Sequence, residues 1–432
     1  NYYQNFMTDV VILAGGKGSR LKKLLKNKSK CLAIINKKTI LEKIYSILNK
    51  QNYNIIYIII NKTQTDIVNF IQKRKLNIKI IFEDLYLGDG GALSNLKSIN
   101  NFEKKKFIII NGDLLINFNF KKLLTFHNKN KSQFTLTCHP NDHPYDSDLL
   151  VSNKKNKLVK ILSKPHKKNL IFKNLASAGI FIINGQLIKL IPSKKQKLND
   201  HIIPLFLRNN SKIYTYHTID FVKDIGTVDR IKMATKIEKS IKFKNSLKKD
   251  STPAIFLDRD GVINEEINYK VEDPTLLIPK TLTALKFINK SEYLSIIITN
   301  QPSIAKGFIK ENQLEFLHNK LETKLGMNGV YINDIFYCPH HPKKGFKGEI
   351  KKFKIICRCR KPKIGLILQA KKKYNINLKK SYFIGNSAAD YLCAKQAQIK
   401  YINISKSGNV KNLLDALKSN KKLARITQKF LS

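Results

Sequence analysis

The chain has 432 residues, 42% of them hydrophobic, which is material for two or three cored domains. No apolar run is long enough to cross a bilayer, and residues 1–8 lack the basic-then-apolar layout of a secretory signal, so a cytoplasmic protein with no membrane partner is expected. Lys plus Arg number 80 against 31 Asp plus Glu, a formal charge of +49. That excess is mostly Lys, runs along the whole chain and accompanies abundant Asn and Ile, as in 52–62. It reads as compositional bias rather than a binding patch. No aromatic-interleaved basic motif is present, so nucleic acid is not expected as a partner. The positive field favours phosphorylated substrates.

In chain order, the first strand is expected at 10–14, followed at once by a glycine-rich turn. Apolar runs recur at 55–60, 78–82 and 107–110, with helical patterns at 40–48 and 65–71 between them. This alternation predicts a mostly parallel sheet covered by helices. A polar, Lys-rich stretch at about 237–252 then interrupts the pattern, which restarts with an apolar strand at 254–257 and later strands at 295–298 and 381–384. The expected fold class is α/β, with two Rossmann-like three-layer α/β/α domains. Residues 1–8 are read as an extension, 9–236 as the first domain, 237–252 as a linker and 253–432 as the second domain. The segment 410–431 reads as one or two basic helices forming a solvated surface element.

The first turn reads Leu13-Ala14-Gly15-Gly16-Lys17-Gly18-Ser19-Arg20-Leu21. Glycines let backbone N–H groups approach phosphate oxygens, and a helix start adds a favourable dipole. The spacing fits neither the Walker loop nor the dinucleotide fingerprint. It resembles the sugar-1-phosphate nucleotidyltransferase signature Gly-Gly-x-Gly-Thr-Arg-Leu followed by Pro-Lys. Arg20 matches the arginine and Lys30 the lysine, while Ser19 and Ser29 depart from Thr and Pro. Leu87-Gly88-Asp89-Gly90-Gly91-Ala92-Leu93 resembles the base-contacting loop, with Asp89 where Thr is usual. Asn111-Gly112-Asp113 resembles the metal-binding strand end. Lys164-Pro165 resembles Glu-Lys-Pro with Ser163 for Glu, and Ser177-Ala178-Gly179 resembles the sugar-side Asn-Ala-Gly. Asp224-Ile225-Gly226-Thr227 matches a late Asp-Ile-Gly-Thr. Any one of these is a common turn; their agreement in order over about 9–236 is specific.

The resemblance implies attack by a sugar 1-phosphate oxygen on the α-phosphorus of a nucleoside triphosphate, expelling pyrophosphate. Arg20 and Lys30 would hold triphosphate charge, and Asp113 and Asp224 would hold Mg²⁺. Gly15, Gly16, Gly18, Gly88 and Gly91 would line the nucleotide. Lys164 and Gly179 would serve the sugar phosphate.

The strand 254–257 delivers Asp258-Arg259-Asp260-Gly261-Val262-Ile263-Asn264, two carboxylates at the carboxyl end of a parallel strand, where α/β folds place ligands. This resembles the haloacid dehalogenase superfamily of phosphatases. By that resemblance Asp258 is the nucleophile and Asp260 the general acid and base. Thr299, with Asn300, fits the phosphate-binding strand end, and Lys361 in Cys359-Arg360-Lys361-Pro362 fits the charge-neutralising lysine, with Arg360 beside it to meet the substrate. Mg²⁺ would be held by Asp258 and the carbonyl of Asp260. The fourth motif, Gly-Asp-x-x-x-Asp, reads Gly385-Asn386-Ser387-Ala388-Ala389-Asp390. Asn386 keeps an oxygen donor but loses a charge, so weaker Mg²⁺ binding is expected, with Asp390 as the compensating ligand.

Six cysteines occur, and a cytosolic chain of this size needs no disulfides. Cys338-Pro339-His340-His341 and Cys357-Arg358-Cys359 form two tight ligand pairs. Cys338, His340, Cys357 and Cys359 are the candidates for a structural Zn²⁺ site, with His341 the alternative. This insertion, with its flanking motifs, resembles the heptose-1,7-bisphosphate 7-phosphatases; histidinol-phosphatases share much of the pattern. Together the resemblances imply a bifunctional enzyme of nucleotide-activated heptose synthesis using a nucleoside triphosphate, GTP expected, and sugar phosphates. A hexose-1-phosphate nucleotidyltransferase joined to a histidinol-phosphatase-like or catalytically impaired domain is the alternative. Oligomeric state is not legible.

Overall fold

The computed structural model describes residues 8–16, 28–51, 53–167, 169–225, 227–238, 243, 252–266 and 276–428. Gly18, Arg20 and most of 237–252 lie outside them. The described residues fall into two compact units, one within Asn1–His139, Asp148–Lys164 and Leu175–Leu247, the other within Pro140–Ser147, Pro165–Asn174 and Lys248–Ser432. Two short segments inside 9–236 are therefore built into the second unit. There, Phe172 N–H donates to Thr323 Oγ1 and Asn174 N–H to the buried Glu322.

The strands of the first unit are β1 (Thr8–Leu13), β2 (Ile34–Ile35), β3 (Lys38–Thr39), β4 (Ile56–Asn61), β5 (Lys79–Glu83), β6 (Lys106–Asn111), β7 (Leu114–Asn117), β8 (Phe134–His139), β9 (Leu149–Ser152), β10 (Leu158–Leu162), β11 (Ala176–Asn184), β12 (Ile213–His217) and β13 (Phe221–Asp224). Nine of them form one sheet, in the order β10-β9-β11-β6-β1-β4-β5, with β8 beside β11 and β12 beyond it. β6, β1, β4 and β5 run parallel, as expected. β11 enters antiparallel to β6 and β8, so the sheet is mixed. Period alone could not separate the two kinds of strand. Ile180–Ile183 of β11 are as fully buried as the parallel runs, and a strand covered on both faces reads as a continuous apolar run either way.

Alternation within the parallel strands makes the three layers. Val10, Ile12, Ile58 and Ile108 point into one core, while Val11, Ile59 and Ile109 point into another. The helix Ile40–Asn49 covers the first core. Thr39 and Glu42 close its N-terminus as a capping box, which satisfies two otherwise orphaned backbone donors.

The second unit has β14 (Ala254–Leu257), β15 (Leu294–Asn300), β16 (Asp334–Cys338), β17 (Tyr382–Gly385) and β18 (Lys400–Asn403). Its sheet is wholly parallel, in the order β16-β15-β14-β17-β18. The strand carrying the paired aspartates thus lies at the centre, flanked by β15 and β17. The C-terminal helices Leu413–Ser419 and Lys421–Gln428 correct the expectation of a merely solvated element. Leu413, Leu417 and Leu423 are fully buried in this unit's core and only the basic face stays outside. Interleaved lysines hid this short apolar stripe. Among the described residues no helix is long and apolar enough to cross a membrane.

Candidate active sites and metal centre

In the first unit β1 ends at Leu13, and the following turn opens a recess lined by Gly15, Gly16, Lys30, Glu83, Asn111 and Asp113 among others. Lys30 Nζ lies 3.6 Å from Asp113 Oδ2. Asp113 and Asp224 are far apart in sequence but converge because β13 pairs antiparallel with β7: Asp224 is in register with Leu114, and Ile225 N–H donates to the Asp113 carbonyl. Burial raises the Asp113 pKa, and the Asp224 carboxylate raises it further, against the opposing pull of Lys30. Two carboxylates brought together in this way form a donor set suited to a hard cation. Arg230 was not foreseen; its Nη1 donates to Asp224 Oδ2 at 2.5 Å.

The glycines of the second loop have an additional reason to be glycine. Gly88 has φ +74°, and a Cβ there would lie 2.6 Å from the Gln196 carbonyl oxygen; Gly91 is packed as closely against the Lys194 carbonyl. Gly90 and Gly91 N–H both donate to Gln196 O, and Asp89 Oδ1 accepts Leu198 N–H at 3.1 Å. Gly88 belongs to the recess lining, but Gly91 does not: it seats the 194–198 backbone. Gly179, at φ +70°, leaves room for the Asn111 side chain where β11 shifts register. Lys164 stands exposed past β10, donating its backbone N–H to Asp148. Glu83, absent from the sequence reading, is 1% exposed at the end of β5 and forms a wall of the recess. Burial raises its pKa, while the Leu87 N–H opposes that. A carboxylate closing an otherwise apolar strand was the available signal.

In the second unit Asp258 follows β14 directly, its N–H bonded to Ile384 O of β17. Lys361, with a side chain 2% exposed, sits 2.9 Å from Asp258 Oδ1 and 2.6 Å from Asp390 Oδ1. Burial raises the Asp258 pKa to about 6, with Lys361 pulling it back and Asp390 adding to the rise. Asn300 brackets the Lys361 backbone, accepting its N–H and donating to its carbonyl. Thr299 is buried, its hydroxyl accepting from Gln301.

One expectation changes here. Asp390 Oδ2 accepts the N–H groups of Asn386 and Ser387 and the Ser387 hydroxyl, and Oδ1 faces Lys361. Both oxygens are committed, so as placed it anchors the lysine and the helix Ala388–Gln396 rather than offering a ligand. Arg360 donates Nη1 to the His340 carbonyl and its N–H to Cys357 Sγ, which ties it to the cysteine loop. Asn386 lies against Gly261, at φ +79°, where a Cβ would strike its amide nitrogen. Arg259 and Gln301, unremarked in the sequence, bond to Asp260, and His318 lies behind Arg259.

Cys338, His340, Cys357 and Cys359 converge, with all four ligand atoms within 4.8 Å of one another. The Sγ pairs lie at 3.2, 3.3 and 3.5 Å, and His340 Nδ1 is 3.2 Å from Cys359 Sγ. A tetrahedral thiolate site needs sulfurs about 3.7 Å apart, so only a slight expansion is required. His341 is directed away, to the Lys343 carbonyl, which removes it as the alternative. The hydrogen bond between Cys359 and Cys338 lowers the pKa of the first thiol and raises that of the second. One thiolate shared between two sulfurs is the first of the deprotonations that metal binding completes.

Residues 9–240 match the nucleotidyl transferase family, and 257–423 match the polynucleotide kinase 3 phosphatase family. The D-glycero-alpha-D-manno-heptose-1,7-bisphosphate 7-phosphatase of Photorhabdus laumondii is 43% identical over 156 residues, 36% of this chain and 82% of that protein. The chain belongs to the nucleotidyl transferase family in its first half and to the heptose-bisphosphate 7-phosphatase family in its second. The D-glycero-beta-D-manno-heptose-1,7-bisphosphate 7-phosphatase of Escherichia coli K12 is 36% identical over 150 residues, covering 34% of this chain and 76% of that one. A solved structure, HddC from Yersinia pseudotuberculosis, is 25% identical and covers 54% of this chain and 99% of its own, at a TM-score of 0.47. The fusion is therefore an enzyme twice over, a transferase and a phosphatase.

Proposed function

We propose that the second unit removes the 7-phosphate of a heptose 1,7-bisphosphate and that the first transfers a nucleotidyl group, from GTP, to the heptose 1-phosphate so formed. The observation that carries this reading is the presence, in one chain, of a nucleotidyl transferase and a phosphatase whose relatives are named for heptose 1,7-bisphosphate. The product of one is the class of substrate the other accepts.

For the phosphatase, an Asp258 oxygen attacks phosphorus while the sugar oxygen leaves with a proton from Asp260. Water then cleaves the aspartyl-phosphate, giving its proton to Asp260 and releasing phosphate. Lys361 and Thr299 hold phosphoryl oxygens, and Asn300 fixes Lys361 through its backbone. For the transferase, the sugar 1-phosphate oxygen attacks the α-phosphorus and pyrophosphate departs in line. Lys30 steadies triphosphate charge and Gly15 and Gly16 admit it closely; Arg20 and Gly18 are assigned the same task from the motif alone. Glu83 supports the choice of GTP: its carboxylate can accept from the N1–H and amino group of guanine, whereas adenine offers an acceptor at N1. Mg²⁺, when bound, neutralises phosphoryl charge, and would be held by Asp113 and Asp224 in one unit and by Asp258, the Asp260 carbonyl and Asn386 in the other. The cysteine cluster suits Zn²⁺ with no open position, a structural role.

The test is phosphate release from heptose 1,7-bisphosphate with Mg²⁺, followed by GTP or ATP and assay for pyrophosphate. Pyrophosphate formed only with hexose 1-phosphates would overturn the heptose assignment. Asn386 favours a second reading, a phosphatase with weak Mg²⁺ affinity. Asn386→Asp is expected to lower the Mg²⁺ concentration for half-maximal phosphate release by about tenfold, the effect of restoring one charge near the ion. Cys357→Ser is expected to lower the zinc content of purified protein from one per chain to near zero. It should also lower the phosphatase melting temperature, since structural zinc contributes folding energy. Elemental analysis and thermal unfolding measure both.

A further inference from the structure

Asp260 is held by an unusually complete set of donors. Arg259 Nε donates to its Oδ1 and Arg259 Nη2 to its Oδ2, each at 3.0 Å, a two-pronged grip by the preceding residue. Asn264 Nδ2 adds a bond to Oδ1 and Gln301 Nε2 one to Oδ2, both at 3.0 Å. Arg259 is in turn seated from behind: Nη2 also donates to Gln301 Oε1 at 3.2 Å, and Nη1 lies 3.1 Å from His318 Nε2. His318, on the helix Glu311–Met327, is buried, and burial together with the guanidinium lowers its pKa well below the ordinary range. A guanidinium can only donate, so His318 Nε2 is the acceptor of this contact. Arg259 is itself only 2% exposed. Burying a guanidinium is costly unless its donors are matched, and an apolar side chain would fill the space without that cost. The arrangement makes sense if the fork has work at Asp260.

We propose that Arg259, seated by His318 and Gln301, is the positioning residue that aims the Asp260 carboxyl at the leaving oxygen. The proposal rests on the reading of Asp260 as proton donor. A carboxylate held by a fork and two amides has one rotamer with its acceptor sites filled, so it carries the transferable proton when the leaving oxygen takes the place of one amide donor, and the fork keeps its aim through that exchange. His318 then acts at two removes, by denying the guanidinium any other orientation.

The test compares a sugar phosphate, whose leaving alkoxide needs a proton, with p-nitrophenyl phosphate, whose leaving phenolate needs none. The full chain is used. Arg259→Met is expected to lower kcat for heptose 1,7-bisphosphate about 100-fold with KM changed less than about threefold. The pre-steady-state burst of p-nitrophenolate should persist at near its normal rate, which also reports a folded site. His318→Phe should move kcat in the same direction by about tenfold. Asp260→Asn is the reference, and Arg259→Met added to it should cost nothing more, because two residues acting through one proton are not additive. A p-nitrophenolate burst slowed as much as sugar-phosphate cleavage, or additive losses in the double variant, would overturn the positioning role. A p-nitrophenolate burst slowed in Asp260→Asn as much as sugar-phosphate cleavage would instead overturn the assignment of Asp260 as acid.

Discussion

Asp258→Asn is expected to reduce phosphate release from heptose 1,7-bisphosphate by at least about three orders of magnitude while leaving GTP-dependent pyrophosphate formation from heptose 1-phosphate intact. The loss is large because Asp258 is assigned the bond to phosphorus itself; an amide cannot take that role, and about 4 kcal/mol of barrier corresponds to a thousandfold. The substitution is nearly isosteric. Asp258 Oδ1 accepts from Lys361, and its side chain lies in a site where Asp390 also faces that lysine, so the amide variant would leave the pair Lys361–Asp390 to hold the loop together. Retained pyrophosphate formation shows that the first unit is intact, and unchanged thermal unfolding shows the same for the second. Residual phosphate release within tenfold of the parent would mean that another group attacks phosphorus and would remove the aspartyl-phosphate reading.

Asp113→Ala should give the mirror result: nucleotidyl transfer lowered about 10²–10³-fold, phosphate release unchanged. Removing one oxygen ligand from a site meant to neutralise a triphosphate costs charge stabilisation where it is developing, an effect of that size in other polar active sites. Asp113 also faces Lys30 at 3.6 Å, so its removal frees a cation that can bind triphosphate on its own. The expected signature is therefore a fall in kcat with KM for GTP changed little, and loss of the Mg²⁺ dependence. Parallel measurement of pyrophosphate and phosphate on the same preparation checks both arms. A fall in both activities would point to misfolding rather than to the site.

Much of this protein was legible without coordinates because its chemistry is punctuated. Strands ending in Gly15-Gly16, Asn111-Gly112-Asp113 and Asp258-Arg259-Asp260 announce ligands at the carboxyl ends of a sheet, and the cysteine pairs announce a metal. These signals are local: a turn that needs glycine, or a carboxylate two residues from another, is written in consecutive letters. Adjacency across the fold is not. Asp224 reaches Asp113 only because β13 pairs with β7, and Glu83 reaches Gly15 only because β5 lies two strands from β1. The choice of His340 over His341 was a matter of which ring turned inward. Asp390 read as a metal ligand until its oxygens were seen serving a helix cap and Lys361. Arg259 stands between two aspartates in the sequence, and nothing in its neighbours there names Gln301 or His318 as its seats. Composition and motif determined which groups this chain brings to phosphate; only packing decided which of them face it and which hold the others in place, because a side chain's partners depend on the register and layer of strands distant in sequence.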